Sequence, residues 1–410
     1  MKLSLSAGIV LNVIGSHYLV QGFKKDLQTC FCCAVCCVAA KAYFLFSGYY
    51  AMKKSLLVLA LMSAFSGAAL AQSSVTIYGI ADAGLQNLDT GAVAGSTLKL
   101  QSGQFNGSRL GFKGTEDLGG GLKANFVLEM GLNIDDGSSA QGRTFGRIAT
   151  VGVSGDFGSV ELGRDKTPTN KFIDSFDPYA SSVINSGNGL QSVYFVGGSA
   201  NVNGAANAAN TSGRTGNTVF YYSPKVSGFS GSAAYSFGEV AGDTKPGSAL
   251  GLNLRYTAAA LDVGYSYVED NAQNATPFAV IKKSANTVAA TYDFGMIKPV
   301  VIFQQVKDKA AVALKQDIFT VGATVKIDAA SRVIATYSMI DDKTAISATN
   351  AAKVGEAKQF AVGYSYDLSK RTSLYSAFAS TTQDAASKKL SAALNGADVS
   401  EFTVGVRHKF

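Results

Sequence analysis

From about residue 75 to the end, the sequence repeats with a period of two. In the last eleven residues, Phe402, Val404, Val406 and Phe410 share one parity, with His408 as its only polar member. Glu401, Thr403, Gly405, Arg407 and Lys409 share the other. Successive strand side chains point to opposite faces, so this is a strand with one apolar and one polar face. Its length matches the 9–11 residues with which a tilted strand crosses a bilayer. Sixteen such segments can be marked off: 75–86, 105–114, 122–132, 143–155, 159–165, 217–224, 229–238, 249–257, 261–269, 285–294, 297–307, 317–327, 331–341, 359–368, 372–382 and 400–410. Alternation by itself also suits a soluble sandwich, which would put the polar face in water.

The joins between segments discriminate better. Short ones (115–121, 156–158, 225–228, 258–260, 328–330, 369–371) alternate with long ones (88–104, 133–142, 239–248, 270–284, 342–358, 383–399). Short turns at one end and long loops at the other are what an up-and-down membrane barrel requires. Past the leader, no apolar run reaches the roughly 18–20 residues of a transmembrane helix, so a spanning structure here must be a closed barrel. Sixteen strands leave an aqueous channel where eight would be filled by side chains. Tyr221, Tyr222, Tyr366 and Tyr375, near strand ends, are expected to form interfacial girdles.

The leader is expected to be separate from the fold. Met52-Lys53-Lys54, an apolar core and Ala69-Leu70-Ala71 make residues 52–71 a secretory signal peptide, with the exported chain at 72–410. Residues 1–51, upstream of a complete signal, are expected to be translated from a start codon set too early. They hold all five cysteines (Cys30, Cys32, Cys33, Cys36, Cys37), in a spacing that matches no metal framework. Beyond residue 71 there remain 30 basic and 28 acidic residues, so the formal net charge of +7 for the whole chain largely describes the leader. Nothing in that balance supports a nucleic-acid partner.

Several stretches carry a family resemblance. S-S-V-T-I-Y-G-I-A-D-A-G-L (73–85), N-G-S-R-L-G-F-K-G-T-E-D-L-G-G-G-L-K-A (106–124), F-G-R-I-A-T-V-G-V (145–153), F-G-S-V-E-L-G-R (157–164), V-F-Y-Y-S-P (219–224) and the last strand resemble the Gram-negative general porins of β-proteobacteria. The resemblance implies an all-β fold: a 16-stranded antiparallel transmembrane β-barrel with a long third outer loop folded into the lumen. It implies an outer-membrane location, a homotrimer embedded in outer-membrane lipid, and passive diffusion of small hydrophilic solutes and ions. It also implies that the assembly machinery reads the terminal Phe410. No cofactor, metal or nucleic acid is implied.

The longest connection, 166–216, has little periodicity, and a structureless loop of that length is normally functional or disordered. It stands where the resemblance places the constricting loop, with residues 166–190 expected to narrow the pore. The barrel-wall residues implied to face it are Arg109, Arg147, Arg164 and Arg214. Parity supports Arg109, which opposes Leu110 and Phe112. Arg147 shares parity with Val151, and Arg164 with Val160 and Leu162, so their lumen placement rests on the resemblance alone. Asp165, Asp174 and Asp177 are the expected opposing acids. Rings of Lys or Arg favour anions, which gives a weak anion preference. A substrate-specific channel and a structural or adhesive surface barrel remain as alternatives. Beyond residue 71 there is one histidine, His408, and no cysteine, so no catalytic constellation can be nominated.

Overall fold

The computed structural model describes residues 74–91, 95–179, 194, 213–273, 280–309, 315–343, 356–384 and 396–410. All lie within one compact unit, Ala71–Phe410. The expectations for 1–51 and 52–71 therefore fall outside the described residues, as does most of 180–212.

The strands are β1 (Ser74–Asp89), β2 (Thr97–Ser102), β3 (Arg109–Gly119), β4 (Leu122–Gly131), β5 (Ile148–Gly155), β6 (Gly158–Lys166), β7 (Arg214–Tyr222), β8 (Phe229–Ser236) and β9 (Ala249–Ala258). They continue as β10 (Leu261–Gln273), β11 (Val280–Tyr292), β12 (Ile297–Asp308), β13 (Lys315–Lys326), β14 (Ser331–Asp342), β15 (Ala357–Asp367), β16 (Thr372–Gln383) and β17 (Val399–Lys409). One short helix, α1 (Pro168–Phe176), lies between β6 and β7. Each strand pairs antiparallel with its sequence neighbour, and β1 closes the sheet on β17, from Ile80↔Lys409 to Asp89↔Ser400. Phe410 and Gly79 exchange both backbone hydrogen bonds at the seam, at 3.0 and 3.1 Å.

Seventeen strands make sixteen staves, because the lower half of β1 pairs β3 and the upper half pairs β2. The sequence pattern places 97–102 in a loop and begins the second stave at residue 105. Instead the stave breaks between Ser102 and Arg109. The buried carboxylate of Asp82 accepts the backbone N–H of Phe105 (3.3 Å) and of Asn106 (2.8 Å), and the Tyr375 hydroxyl donates to it (2.7 Å). Backbone groups lost from the ladder thus find a partner, and residues 103–108 turn inward.

Burial assigns the two faces. Thr403 is 1% exposed and its neighbour Val404 is 47% exposed, and the same alternation runs around the sheet. Outward-facing residues such as Val151, Leu252, Phe303, Phe360 and Phe402 form the apolar band a lipid-facing barrel needs. Tyr221 and Tyr366 belong to it. Tyr222 and Tyr375 do not: they have the inward parity of their strands, Tyr222 bonding Lys171 and Tyr375 bonding Asp82. The expected girdle loses both, because each polar tip has a hydrogen-bond partner inside the barrel.

The inner wall is also less uniformly polar than expected. Val300, Ile302 and Val306 of β12, with Val268, Ile318 and Ile340, face inward and are buried. The connection covers them: Phe172, Ile173 and Phe176 of α1, 3%, 0% and 3% exposed, and Tyr194 beyond it share one buried cluster with these wall residues. Burying each of these is worth about 1.5–3 kcal/mol, which gives the connection a reason to lie inside.

Candidate pore constriction

Helix α1 is built by strong local signals. Thr167 caps it, its hydroxyl accepting the Asn170 N–H at 3.1 Å, and Pro168 occupies the first turn, where its missing N–H costs nothing. It stops at Asp177, ahead of Pro178. The wall is shaped to receive it. A Cβ on Gly251 would meet the Pro168 ring at 2.7 Å, and one on Gly264 would meet Phe172 at 2.6 Å. Thr169 bonds Ser266 at 2.8 Å, and the Asn253 amide donates to the Pro168 carbonyl at 3.3 Å. Further along, the Tyr179 hydroxyl donates to the Ile334 carbonyl (3.2 Å), and Tyr194 donates to Thr320 (2.6 Å). The described part of the connection is therefore anchored to the inner wall from β9 to β14.

At its other edge α1 is held by charge. Lys171 pairs with Asp165 at 2.5 Å and donates to the Tyr222 hydroxyl at 2.6 Å; Lys166 pairs with Asp174. Burial works to lower the Lys171 pKa, but Asp165 and Tyr222 outweigh it and hold the ammonium above the ordinary lysine value.

Between α1 and the wall of β17, β1 and β3 lies a gap of about 420 Å³, bordered by Ile80, Asn106, Arg109, Lys166, Lys171, Asp174, Ser175 and Lys409. Register explains the grouping: Ile80 sits between Lys409 and Arg109 on adjoining staves. Four cations face one carboxylate there, and that carboxylate is already paired with Lys166. Among the described residues, Arg109 and Lys409 have no carboxylate within salt-bridge distance. The Arg109 Nε donates to the Gly107 carbonyl (2.9 Å), which fixes its stem.

The other expected arginines stand behind this gap. Arg147 is buried and pairs with Glu129 at 2.7 Å, and Glu129 also accepts the Tyr78 hydroxyl at 3.0 Å. Arg164 donates to the Gly146 carbonyl (2.8 Å), and Arg214 to the Arg147 carbonyl (3.0 Å). Arg147 precedes β5, so strand parity does not apply to it. Arg164 follows a bulge at Gly163 (φ +133), where the register shifts and both Arg164 and Asp165 turn inward. Asp165 and Asp174 hold lysines, whereas Asp177 accepts the Tyr179 N–H (2.9 Å) and lies away from the gap. Lys166, Lys171 and Lys409 were not singled out in the sequence. For Lys409 the inward parity was visible; for the other two, the helix that aims them was not.

A closed sixteen-stave barrel with an inward-packed connection now meets an independent comparison. The family model of the Gram-negative porins matches residues 56–386. The chain belongs to the Gram-negative porin family. Outer membrane porin protein 32 of Delftia acidovorans is 34% identical over 372 residues, covering 88% of this chain and 100% of the relative. An outer membrane porin of Bordetella pertussis is 33% identical over 415 residues, with the same coverage. Among solved structures, an anion-selective porin from Comamonas acidovorans superposes with a TM-score of 0.69 at 31% identity, covering 83% of this chain and 100% of that one. Fold and family are those of a channel. Among the described residues of this porin, no group of three or more His, Cys, Asp or Glu is placed to hold a metal.

Proposed function

We propose that this porin is a passive outer-membrane diffusion channel for small hydrophilic solutes and ions, with anions favoured where α1 narrows the lumen. What carries this reading is the gap beside α1, where Lys166 and Lys171 are paired with Asp174 and Asp165 while Arg109 and Lys409, among the described residues, have no carboxylate within salt-bridge distance. Unneutralised Arg and Lys on a narrow wall raise the local concentration of anions and repel cations. The anion selectivity of the Comamonas porin supports the same sign.

In this reading residues 166–179 form the described portion of the third-loop constriction, and Arg147, Arg164 and Arg214 act from behind it. Arg164 and Arg214 fix backbone carbonyls, Arg147 holds Glu129, and the three add positive potential without lining the gap. A homotrimer in outer-membrane lipid, and recognition of Phe410 during assembly, complete the proposal.

The test is planar-bilayer conductance of the porin purified from outer membranes, under a potassium chloride gradient. Stepwise ohmic insertions with a reversal potential of anionic sign are expected, and Arg109→Ala should move that potential toward zero. A folded barrel without conductance would overturn the channel reading, and a cationic reversal potential would overturn the role given to the gap.

A further inference from the structure

A second group of cations lies outside the constriction, at the short-turn end of the lumen. It spans β14 to β17 and two turns, 327–330 and 368–371. A cavity of about 370 Å³ is bordered there by Arg332, Lys370, Arg371, Arg407 and Lys409, with Asp367 as its one carboxylate. The sequence pattern explains why they converge. Arg332, Asp367, Ser373, Arg407 and Lys409 all have the inward parity of their strands, and Arg332↔Ser365 and Ser373↔Arg407 are register pairs on neighbouring staves.

Little of this charge is neutralised. Asp367 is engaged by Arg332 at 2.9 Å. Among the described residues, Lys370, Arg371, Arg407 and Lys409 have no carboxylate within salt-bridge distance. Arg407 is the informative member. It is 7% exposed, yet its bonds go to neutral groups only: Nη1 to Asn106 Oδ1 (2.9 Å) and Nη2 to Ser373 Oγ (2.8 Å). Its Nε, buried, has no hydrogen-bond partner. The guanidinium lies over the Phe105 ring, 5.1 Å from its centroid, and among the described residues no carboxylate within salt-bridge distance offsets its charge, so the cavity it borders keeps a positive potential. Lys409 also borders the constriction gap, so one lysine belongs to both sites.

We propose that this cluster is a separate anion site at the turn-side mouth, which takes a small multivalent oxyanion of the phosphate class and passes it to the constriction through Lys409. Guanidinium forks suit the paired oxygens of phosphate, and a doubly charged anion gains more from five converging cations than chloride does. The proposal rests on the anion preference of the lumen, but a different measurement tests it.

Chloride current through the purified porin is recorded while inorganic phosphate is added to one side at a time. Phosphate is expected to reduce the current in a saturable way, at lower concentration from one side than from the other. Lys370→Gln/Arg371→Gln removes two exposed turn cations and leaves the constriction intact. It should weaken that effect roughly fivefold while the reversal potential in potassium chloride holds. Asp367→Asn should strengthen it. A phosphate effect that is equal from both sides, or unchanged in the double variant, would overturn the site. A cationic reversal potential with the phosphate effect intact would overturn only the constriction reading.

Discussion

The ring of Phe105 meets the ring of Tyr179 edge to face, with centroids 6.3 Å apart and planes at 78°. One residue belongs to the inward break of the second stave, the other to the chain just beyond α1. Phe105 also stacks on Tyr375 at 4.9 Å, so the break links the connection to the wall of β16. Such an aromatic pair is worth about 0.5–1.5 kcal/mol beyond its buried area. Phe105→Ala is therefore expected to loosen the connection by a factor of about two to ten in its docking equilibrium, with the barrel intact. Single-channel recordings should show larger open-state fluctuations at an unchanged mean reversal potential. Recordings as quiet as those of the parent protein would remove Phe105 from the account.

Gly163 offers a sharper test of how the arginines are aimed. Its φ of +133 lies where an L side chain is strained, and the bulge it permits turns Arg164 and Asp165 inward together. Gly163→Ala should cost on the order of 1–3 kcal/mol and disturb the bulge. Asp165 would then lose its hold on Lys171. The expected readouts are a lower temperature for the folded-to-unfolded mobility shift and a weaker anion preference.

Gly251 tests the seat of α1 alone. The three nearest heavy atoms that a Cβ there would meet all belong to the Pro168 ring, which cannot swing aside as a long side chain could. Gly251→Ala should displace the first turn of the helix and raise single-channel conductance. Gly264→Ala would also press the Leu254 carbonyl (2.8 Å), so its effect would mix wall and helix.

Much of this was legible in the sequence, for a physical reason. Where a strand has lipid on one side and water on the other, period-two alternation is enforced residue by residue, as in β17, and the staves could be counted. The reading failed where a third environment intrudes. The run Val300–Val306 has apolar residues on both faces because the connection covers the inner one, with Phe172, Ile173, Phe176 and Tyr194 in its buried cluster, and no local pattern reveals a cover that comes from more than 100 residues earlier. The Asp82 carboxylate, which breaks the second stave, likewise acts on residues 23 and 24 positions away. The helix itself could have been found from Thr167-Pro168 at its start and Asp177-Pro178 at its end. The arginines behind the gap could not be placed by parity, since one precedes its strand and another follows a bulge.

The buried pair of Arg147 and Glu129 makes opposite predictions for its two members. Arg147→Ala leaves Glu129, with 5% of its side chain exposed, as an unpaired carboxylate beside Tyr78. Breaking a buried pair in this way typically costs about 3–5 kcal/mol. Thermal stability should fall and anion preference with it. Glu129→Gln leaves the cation in place, so stability should fall while anion preference rises. If both variants shifted the reversal potential in the same direction, the electrostatic role of the pair would be refuted.

Lys171 supplies the pH dependence. It lies on α1, off the spanning strands, with its pKa held above the ordinary lysine value: burial lowers it, but Asp165 and Tyr222 prevail. A pKa raised in the folded state means that the anchor's contribution is fully present below the unfolded value, about 10.4 for lysine, and is lost only as pH rises through the folded value. Conductance should therefore stay level from about pH 6 to about pH 10 and climb only beyond that, as α1 comes off the wall. Lys171→Met removes the ammonium and leaves Asp165 buried without its partner, so its conductance should already be raised at neutral pH and should not climb further. An increase in the parent protein well below pH 10 would show that something other than the charged Lys171 holds the helix in place.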